Sequence, residues 1–458
     1  MSFPRYPEYK DSGVEWLGQV PGHWVTPPVY LRYSVELGKM LDSSRITGDH
    51  LVPYLRNVDV QWGKINFDDL PEMDIESSEY GRYTVAPGDL LVCEGGEVGR
   101  AAIVPERSGT IGFQKALHRL RALADDEHPA FMYFTLSWAA LRGVFNQSGL
   151  STIAHLTGEQ LRKYRFPKPP IKEQARIAAF LDREAAKIDA LVAEQQNLIA
   201  LLKEKRQALI SHAVTNGLDP DVPMKDSGVA WLGEVPAHWC VCALRRAIAK
   251  IEQGWSPDCH ARPAEEGEWG VLKAGCVNGG TYLPTENKAL PSELLPDESY
   301  CVRVGDVLMS RASGSPDLVG STALVRATPA RLMLSDKIFR IRLEAEINPA
   351  FFVAMLNARA LRAQIEQALS GGNGLANNLP QSNLFAFICA LPPQSEQIAI
   401  AARLNCEIGS LDKLMVEAET AIALLQERRA ALISAAVTGK IDVRHLVATA
   451  ADSTTEPA

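Results

Sequence analysis

The stretch KDSGVEWLGQVPGHW, residues 10–24, returns 215 positions later as KDSGVAWLGEVPAHW, residues 225–239. Only three of the fifteen positions differ, at Glu15, Gln19 and Gly22 of the first copy. Agreement of this length does not arise by chance, and self-similarity at long range indicates a repeated architecture. We therefore expect the chain to contain two copies of one structural unit.

A second repeated segment follows each copy of this motif. Residues 173–215 and 396–438 align at an offset of 223 and end in LLKEKRQALISHAVT and LLQERRAALISAAVT. Pro-Pro precedes both segments, which indicates an extended entry just before a helix. The first copy has no proline or glycine and is rich in Ala, Leu, Glu, Lys, Gln and Arg. This composition predicts a continuous helix of roughly 65 Å.

Apolar side chains recur every seven residues in both predicted helices, which is the pattern of a coiled coil. Because a helix of this length outruns the core of a single domain, we expect the two helices to pair as an antiparallel coiled coil. Basic residues near the ends of the two helices fit either a solvated helix face or contacts with phosphate. They are Lys203, Lys205 and Arg206 in the first helix and Arg428 and Arg429 in the second. The predicted seam comprises Leu181, Ile188, Leu202, Leu209, Leu404, Leu411, Leu425 and Leu432.

Two variable segments lie between the repeats and agree only at scattered points such as YTVAPGDLL and YCVRVGDVL. Short β patterns, turns and a helical patch predict that each is a mixed domain, and the fold class is α/β (α+β) with a pseudo-twofold internal repeat. The predicted order is an N-terminal motif (1–24), a first domain (25–168), a spacer helix (169–218), a linker with the second motif (219–239), a second domain (240–391), a second spacer helix (392–441) and a disordered tail (442–458).

Charge, cysteine content and hydropathy exclude several classes. A net charge of −8 argues against a protein that coats nucleic acid nonspecifically. The eight cysteines form no CxxC pair, so buried free thiols are expected rather than a zinc ribbon or a disulfide framework. No apolar run reaches membrane-spanning length and the start lacks the pattern of a signal peptide. We expect no membrane contact and a cytoplasmic location.

Catalytic motifs of definite spacing are missing from the sequence. There is no GxxxxGK[ST], HExxH or GxSxG, and no Asn/Asp-Pro-Pro-Tyr/Phe of the methyltransferase type. We expect a non-catalytic chain with no metal site and no cofactor of its own.

Polar pairs at two predicted strand starts are candidate contacts to nucleic acid. Gln114 and Lys115 precede a strand expected to alternate from Ala116 onward, and Asp336 and Lys337 precede a second strand. Gln can pair with adenine and Lys with guanine in the major groove. The turns at Gly88-Asp89 and Gly305-Asp306 are instead expected to be structural.

Two loops rich in small polar residues supply further candidates. The first holds Ser151 and Thr152, and the second holds Asn373 and runs on to Asn377 and Asn378. Small side chains let the backbone approach DNA closely, but they also make a loop flexible. Both interpretations stay open from the sequence.

The repeated blocks together resemble a known family. The duplicated KDSG motif, FPKPPIKEQARIAAFLD (166–182), LPPQSEQIAIAARL (391–404) and the junction ALISHAVTNGLDPDVPMKDSGV (208–229) resemble the specificity subunits of Type I restriction enzymes. The resemblance covers nearly the whole chain, and the two-copy order is specific to that family.

The resemblance implies that each variable domain is a target-recognition domain for one half of a bipartite double-stranded DNA sequence. The helices would set the gap and dock two methyltransferase subunits, which modify adenine with S-adenosylmethionine after flipping it from the duplex. Restriction subunits with ATP and Mg would complete the complex. Two other interpretations stay open: a coiled-coil scaffold that binds protein partners without DNA, and an enzyme with an unrecognised site.

Overall fold

A computed structural model of the chain describes residues 3–41, 47–146, 155–329, 331–369 and 377–446. Its contacts divide the chain into two units. Unit 1 is Met1–Gln195 with Thr420–Ala458, and unit 2 is Gln196–Glu419. Each unit holds one copy of the repeated motif, one variable segment and a part of each long helix.

Unit 1 contains eleven strands in its described part, with three short helices and parts of two long ones. The strands are β1 (Tyr9–Asp11), β2 (Gln19–Pro21), β3 (Tyr33–Leu37), β4 (Leu51–Leu55), β5 (Val60–Gln61), β6 (Lys64–Ile65), β7 (Glu72–Asp74), β8 (Leu90–Cys93), β9 (Ala101–Ile103), β10 (Gly112–Phe113) and β11 (Leu117–Ala122). The helices are α1 (Tyr80–Tyr83), α2 (Pro129–Leu141), α3 (Gly158–Lys163) and the start of α4 (Ile171–Asn216).

Unit 2 repeats this content with small additions. Its strands are β12 (Met224–Asp226), β13 (Glu234–Pro236), β14 (Cys240–Ala243), β15 (Ile248–Gln253), β16 (Gly270–Leu272), β17 (Asn287–Ala289), β18 (Val307–Ser310), β19 (Ala312–Ser313), β20 (Thr322–Leu324), β21 (Leu332–Met333), β22 (Ile338–Leu343), β23 (Asn377–Asn378) and β24 (Ile388–Leu391). Its helices are α5 (Pro349–Leu356), α6 (Arg359–Ala368), α7 (Gln381–Ala386) and most of α8 (Gln394–Val437).

The sheets of the two units have matching strand orders. Unit 1 has an antiparallel sheet β3-β11-β8-β9 and a mixed sheet β10-β4-β7, and unit 2 has β15-β22-β18-β20 and β21-β16-β17. In both mixed sheets one pair is parallel, β10 with β4 and β16 with β21. The repeated motif forms the hairpins β1-β2 and β12-β13. The duplicated α/β (α+β) fold predicted from the repeats is therefore confirmed.

Strands β8 and β18, each an inner strand of a four-stranded antiparallel sheet, are covered on both faces. In β8, Leu90 and Val92 pack into the core beneath α2, while Leu91 and Cys93 pack into a second core shared with the mixed sheet. Side chains alternate between the faces of a strand, so a continuous apolar run is what a strand buried on both sides requires. All four residues of β18 are likewise buried.

The two Gly-Asp turns before these strands are structural, as predicted. Gly88 and Gly305 have φ values of 85° and 93°, a region in which L side chains are strained. The buried Asp89 carboxylate forms an ion pair of 2.7 Å with Arg121 on the neighbouring strand, and Asp306 does the same with Arg342. Each turn thus connects two strands of its sheet.

The two predicted helices are present as α4 and α8, of 46 and 44 residues. In unit 1, Phe180 and Leu181 of α4 share a core with Ile433 and Val437 of α8. Among the predicted seam residues, Leu181, Ile188, Leu202, Leu404 and Leu411 are buried, and Leu209, Leu425 and Leu432 are half-buried. The coiled-coil pairing and the domain boundaries remain predictions.

Two details differ from the sequence analysis. The strand expected from Ala116 begins at Leu117, and Ala116 has a φ of 84°. Residues 117–120 are all buried instead of alternating, because the two faces of β11 pack into two different cores. Residues 442–446, assigned to a disordered tail, pack in unit 1, where Val443 is fully buried and the amide of Asp442 donates to Pro4. No helix in the described part of the chain is long and apolar enough to cross a membrane.

Candidate nucleic-acid interface

The His-Trp end of each repeated motif is bound to the Glu-Gln start of a long helix. In unit 1 the buried carboxylate of Glu173 accepts from the Tyr6 hydroxyl at 2.6 Å and from the Trp24 indole at 3.0 Å, and it lies 2.7 Å from His23. Burial, with Glu173 beside it, raises the pKa of Tyr6 well above its ordinary value, so the hydroxyl remains a donor. This contact joins segments about 150 residues apart in sequence.

Unit 2 repeats the contact with fewer partners. The carboxylate of Glu396 accepts from the Trp239 indole at 3.1 Å and lies 2.8 Å from His238. Its side chain is 25% exposed, against 6% for Glu173. The motif that is best preserved between the two halves therefore has a structural role, namely to hold each long helix.

The glutamine that follows each of these glutamates anchors the variable segment. The Gln174 amide accepts from His128 N at 2.9 Å and donates to the carbonyls of Asp126 and Pro169. Gln397 accepts from Asn348 N at 2.8 Å and donates to the carbonyl of Pro392. Since His128 and Asn348 are the N-caps of α2 and α5, both glutamines tie a long helix to the domain that precedes it.

In unit 1, three main-chain segments meet beside the start of β11. The amide of Lys115 donates to Lys39 O at 2.9 Å, and the amide of Glu94 donates to Ala116 O at 2.9 Å. Gly38 permits this approach, because a Cβ there would lie 2.3 Å from the carbonyl oxygen of Gln114. We call the group Lys39, Glu94, Gln114 and Lys115 surface 1.

In unit 2, the same main-chain arrangement, which we call the frame, recurs beside the start of β22. The amide of Arg311 donates to Lys337 O at 2.8 Å, and the carbonyl of Arg311 accepts from Leu379 N at 2.9 Å. Ala312 and Ser313 pair with Asn378 and Asn377. We call the group Arg311, Lys337, Asn377 and Asn378 surface 2.

Unit 2 also has a glycine at the position where two main-chain segments come close together. A Cβ at Gly254 would lie 2.0 Å from the carbonyl oxygen of Leu334, and the next amide, that of Trp255, donates to that same oxygen. The indole of Trp255 is 39% exposed beside surface 2. Surface 1 and surface 2 are thus built on equivalent backbone and differ in side chains.

Known proteins resemble this chain over one domain and over almost its whole length. Residues 36–200 match the family described as the Type I restriction modification DNA specificity domain. The EcoEI specificity subunit of Escherichia coli is 31% identical over 226 residues, which is 49% of this chain and 38% of that subunit. The EcoKI specificity subunit of E. coli K12 is 22% identical over 442 residues, which covers 93% of this chain and 90% of that subunit.

The chain is similar to the specificity subunits of Type I restriction enzymes.

The fold of this chain is shared with a solved structure. A chain from a structure of the type I R-M system, described for complex assembly and conformational transition, superimposes with a TM-score of 0.68 at 17% identity. The match covers 91% of this chain and 98% of that one. The resemblance expected from the repeated blocks is confirmed.

The candidate residues are distributed in the structure as follows. Gln114 is half-buried and Lys115 is exposed in surface 1, while Lys337 is exposed in surface 2 together with the half-buried Asn377 and Asn378. The structure therefore brings the last three together, although 40 residues separate Lys337 from Asn377. Ser151, Thr152 and Asn373 lie outside the described residues. The assignment of all these residues as DNA contacts stays a prediction.

Sequence reasoning missed the residues that connect each surface. Arg311 and Glu94 follow equivalent strands, β18 and β8, so aligning the two halves of the chain would have found them. Lys39 was also missed; its ammonium group is the main reason that the pKa of Glu79 lies below its ordinary value. Partial burial acts to raise the pKa of Asp336, but the Ser256 hydroxyl and the Lys337 ammonium hold it below its ordinary value.

Beyond these surfaces, the structure bears on metal sites, cavities and ion pairs of the long helices. Among the described residues, no three His, Cys, Asp or Glu side chains are arranged to hold a metal ion. A cavity of about 720 Å³ in unit 2 is lined by Arg206, Asn357 and Asp412, and one of about 560 Å³ in unit 1 by Tyr133, Phe145 and Arg429. Two of the phosphate-contact candidates, Arg206 and Arg429, lie 3.7 and 2.9 Å from Asp412 and Asp189, respectively.

Proposed function

We propose that surface 1 and surface 2 each read one half of a bipartite double-stranded DNA target. The observation that carries this proposal is the pair of equivalent backbone frames with different side chains at matching positions. An equivalent frame presents side chains to a groove in the same way, while the side chains decide which base edges are bonded. Two half-sites of different sequence are then the natural target.

We propose further that two methyltransferase subunits dock on the long helices. Leu191 and Leu201 of α4 are 45% and 62% exposed, and their equivalents Leu414 and Leu424 of α8 are 46% and 61% exposed. Apolar side chains left exposed at matching places favour two contacts of one kind. This chain would be non-catalytic; S-adenosylmethionine would belong to the methyltransferase subunits, and ATP and Mg to the restriction subunits.

The helices would set the distance between the half-sites. Readers that bind one face of a duplex need half-sites about one turn, roughly 34 Å, apart. Because each helical residue adds about 1.5 Å, inserting residues into α4 should lengthen the gap in the recognised sequence and leave both half-sites unchanged.

The test is to map methylated bases in the DNA of the source organism with the gene intact, deleted, and restored as wild type or as Lys337→Ala. We expect deletion to remove one split, adenine-methylated motif. Restoration with the wild type should return it, and Lys337→Ala should weaken or relax only one half. If deletion leaves the methylated motifs unchanged while the chain still binds its partner subunits, the scaffold interpretation is favoured instead.

A further inference from the structure

Three cysteines meet where the second variable segment joins the repeated parts of the chain. Cys240 and Cys242 lie in β14, just after the second repeated motif, and Cys389 lies in β24, just before α8. The strands are antiparallel, with Cys242 directly opposite Cys389. Cys240 is on the same face as Cys242, because residues two apart in a strand point the same way.

The backbone places the Cα atoms of Cys242 and Cys389 within the range of separations found in disulfides. Leu244 N donates to Phe387 O at 2.6 Å, and hydrogen-bonded pairs recur at every second residue of an antiparallel ladder. Cys242 and Cys389 are therefore also such a pair, with Cα atoms about 5.5 Å apart. Disulfides most often have Cα separations of about 5.5–6 Å. The Cys389 thiol already points toward its neighbour, with Sγ 3.6 Å from the Cys242 carbonyl oxygen.

The surroundings make Cys242 the reactive member of this pair. The Cys389 thiol, as the largest influence, lowers the pKa of Cys242; partial burial opposes it, Cys240 and Arg246 assist, and the pKa falls to about 6. The thiolate is the form of cysteine that attacks an oxidant. Cys242 is partly exposed and Cys389 is buried, so an oxidant from solvent reaches Cys242 first.

The fold itself does not require thiols at these positions. In unit 1 the equivalent segments are joined by bridges at Val25 with Lys168 and at Pro28 with Arg165. In that register Pro27 and Phe166 occupy the places of Cys242 and Cys389. The described residues also offer no three-ligand metal arrangement, so metal binding does not account for the cluster.

We propose that Cys242 and Cys389 form a reversible modification site that a peroxide oxidises to a cross-strand disulfide. The Cys242 thiolate attacks one peroxide oxygen, the O–O bond breaks, and the leaving oxygen takes a proton to become water. The resulting sulfenic acid is attacked by Cys389, an S–S bond forms, and the hydroxyl leaves with the Cys389 proton as a second water. In total, two thiols and one hydrogen peroxide give one disulfide and two waters.

The disulfide would join the two ends of the second variable segment. It closes a loop between residues 147 positions apart, and a cross-link of this kind restricts the unfolded chain. Unit 2 should then unfold at a higher temperature when oxidised, and unit 1 should not change.

The experiment treats the reduced, full-length chain with equimolar hydrogen peroxide, then counts free thiols in denaturant and maps peptides without reduction. We expect two thiols lost per chain, a peptide containing Cys242 linked to one containing Cys389, full reversal by dithiothreitol, and an upward shift of the thermal transition. Cys389→Ser should leave a sulfenic acid on Cys242 that a dimedone probe labels. The control Cys406→Ser, which removes an exposed cysteine of α8, should behave as wild type.

Other products would overturn the proposal. These are a link between Cys240 and Cys242, dimers joined through Cys406, overoxidation of Cys242 without a disulfide, or retention of all eight thiols. The peptide map of the wild-type chain decides between the outcomes even if Cys389→Ser fails to fold.

Discussion

Surface 1 and surface 2 have the same main-chain frame and different charge at its centre. Glu94 and Arg311 occupy the same place, each donating its amide to the residue before the adjoining strand. A carboxylate can accept a hydrogen bond from cytosine, whereas a guanidinium group donates to guanine or to phosphate. The frame is thus separable from the side chains that would select a base.

The places where the variable segments join the repeated parts of the chain also share a backbone and differ in side chains. In unit 1, Trp16 packs against Trp138 at 5.5 Å and Phe166 at 5.8 Å between ring centroids. In unit 2 the place of Phe166 is taken by Cys389, and the equivalent tryptophan, Trp231, is 42% exposed. One backbone therefore supports an aromatic cluster in one unit and a thiol cluster in the other.

The largest expected effect concerns the buried glutamates. Glu173→Ala would leave the buried hydroxyl of Tyr6 and indole of Trp24 without an acceptor, and we expect it to cost about 3–4 kcal/mol of stability. Glu396→Ala should cost roughly half as much, because Glu396 is more exposed and accepts from fewer donors. Urea denaturation measures both, with Glu173→Gln as a control that keeps the shape. Equal losses would show that the two contacts are energetically alike.

The second largest loss of stability is expected from substituting Gly38 or Gly254, where two main-chain segments come close together. Gly38→Ala and Gly254→Ala each place a methyl group against a carbonyl oxygen, and we expect about 2–3 kcal/mol of destabilisation from the required backbone shift. Gly81→Ala and Gly314→Ala are matched controls, since a Cβ at either position meets open space. Thermal unfolding reports the difference. Controls that lose as much as the test variants would rule out the steric explanation.

Substitutions in surface 1 and in surface 2 should change DNA binding at different half-sites. We expect Arg311→Ala or Lys337→Ala to weaken binding by about 1–3 kcal/mol if base contacts are lost, with relaxed preference at one half-site only. Lys115→Ala should act on the other half-site. Fluorescence anisotropy of the assembled complex on duplexes altered in one half-site measures this. Arg303→Ala, which removes an exposed cation before β18 rather than after it, is the control. Identical effects on both half-sites would contradict the assignment of one surface to each.

The smallest effect is expected at the equivalent ion pairs of the long helices. Asp189 lies 2.9 Å from Arg429, whereas Asp412 lies 3.7 Å from Arg206. Both aspartates are about half exposed, so Asp189→Asn should cost a few tenths of a kcal/mol and Asp412→Asn less. Added salt should reduce the difference between the two variants in chemical denaturation. A difference that grows with salt would contradict an electrostatic origin.

The parts of this structure that depend on local sequence could be predicted. Residues 173–215 indicate a helix by composition alone, and Gly88 marks a turn because few other residues adopt its φ. The alternation expected along β11 was wrong, since the sequence cannot reveal that a strand is covered on both faces. His118 and Arg119 are polar but buried: His118 bonds the carbonyl of Leu156, and Arg119 bonds the carbonyl of Thr84.

The candidate interface was harder to predict because its members meet only through the fold. Lys337 was found from its place before a strand, but its proximity to Asn377 depends on the pairing of β19 with β23. Arg311 carries no local signal that distinguishes it from the other arginines of the chain. Comparison of the two halves of one chain supplies the missing information, because it identifies positions that share a backbone and differ in side chain.

The amides of Gln174 and Gln397 hold the variable segments through main-chain atoms, namely the carbonyl of Asp126 and the amides of His128 and Asn348. A contact to main-chain atoms does not depend on which side chains the variable segment carries. For this contact alone, a variable segment of unrelated sequence would serve equally well, provided that its helix begins at the same place. Exchange of a variable segment would then need no compensating mutation at Gln174 or Gln397.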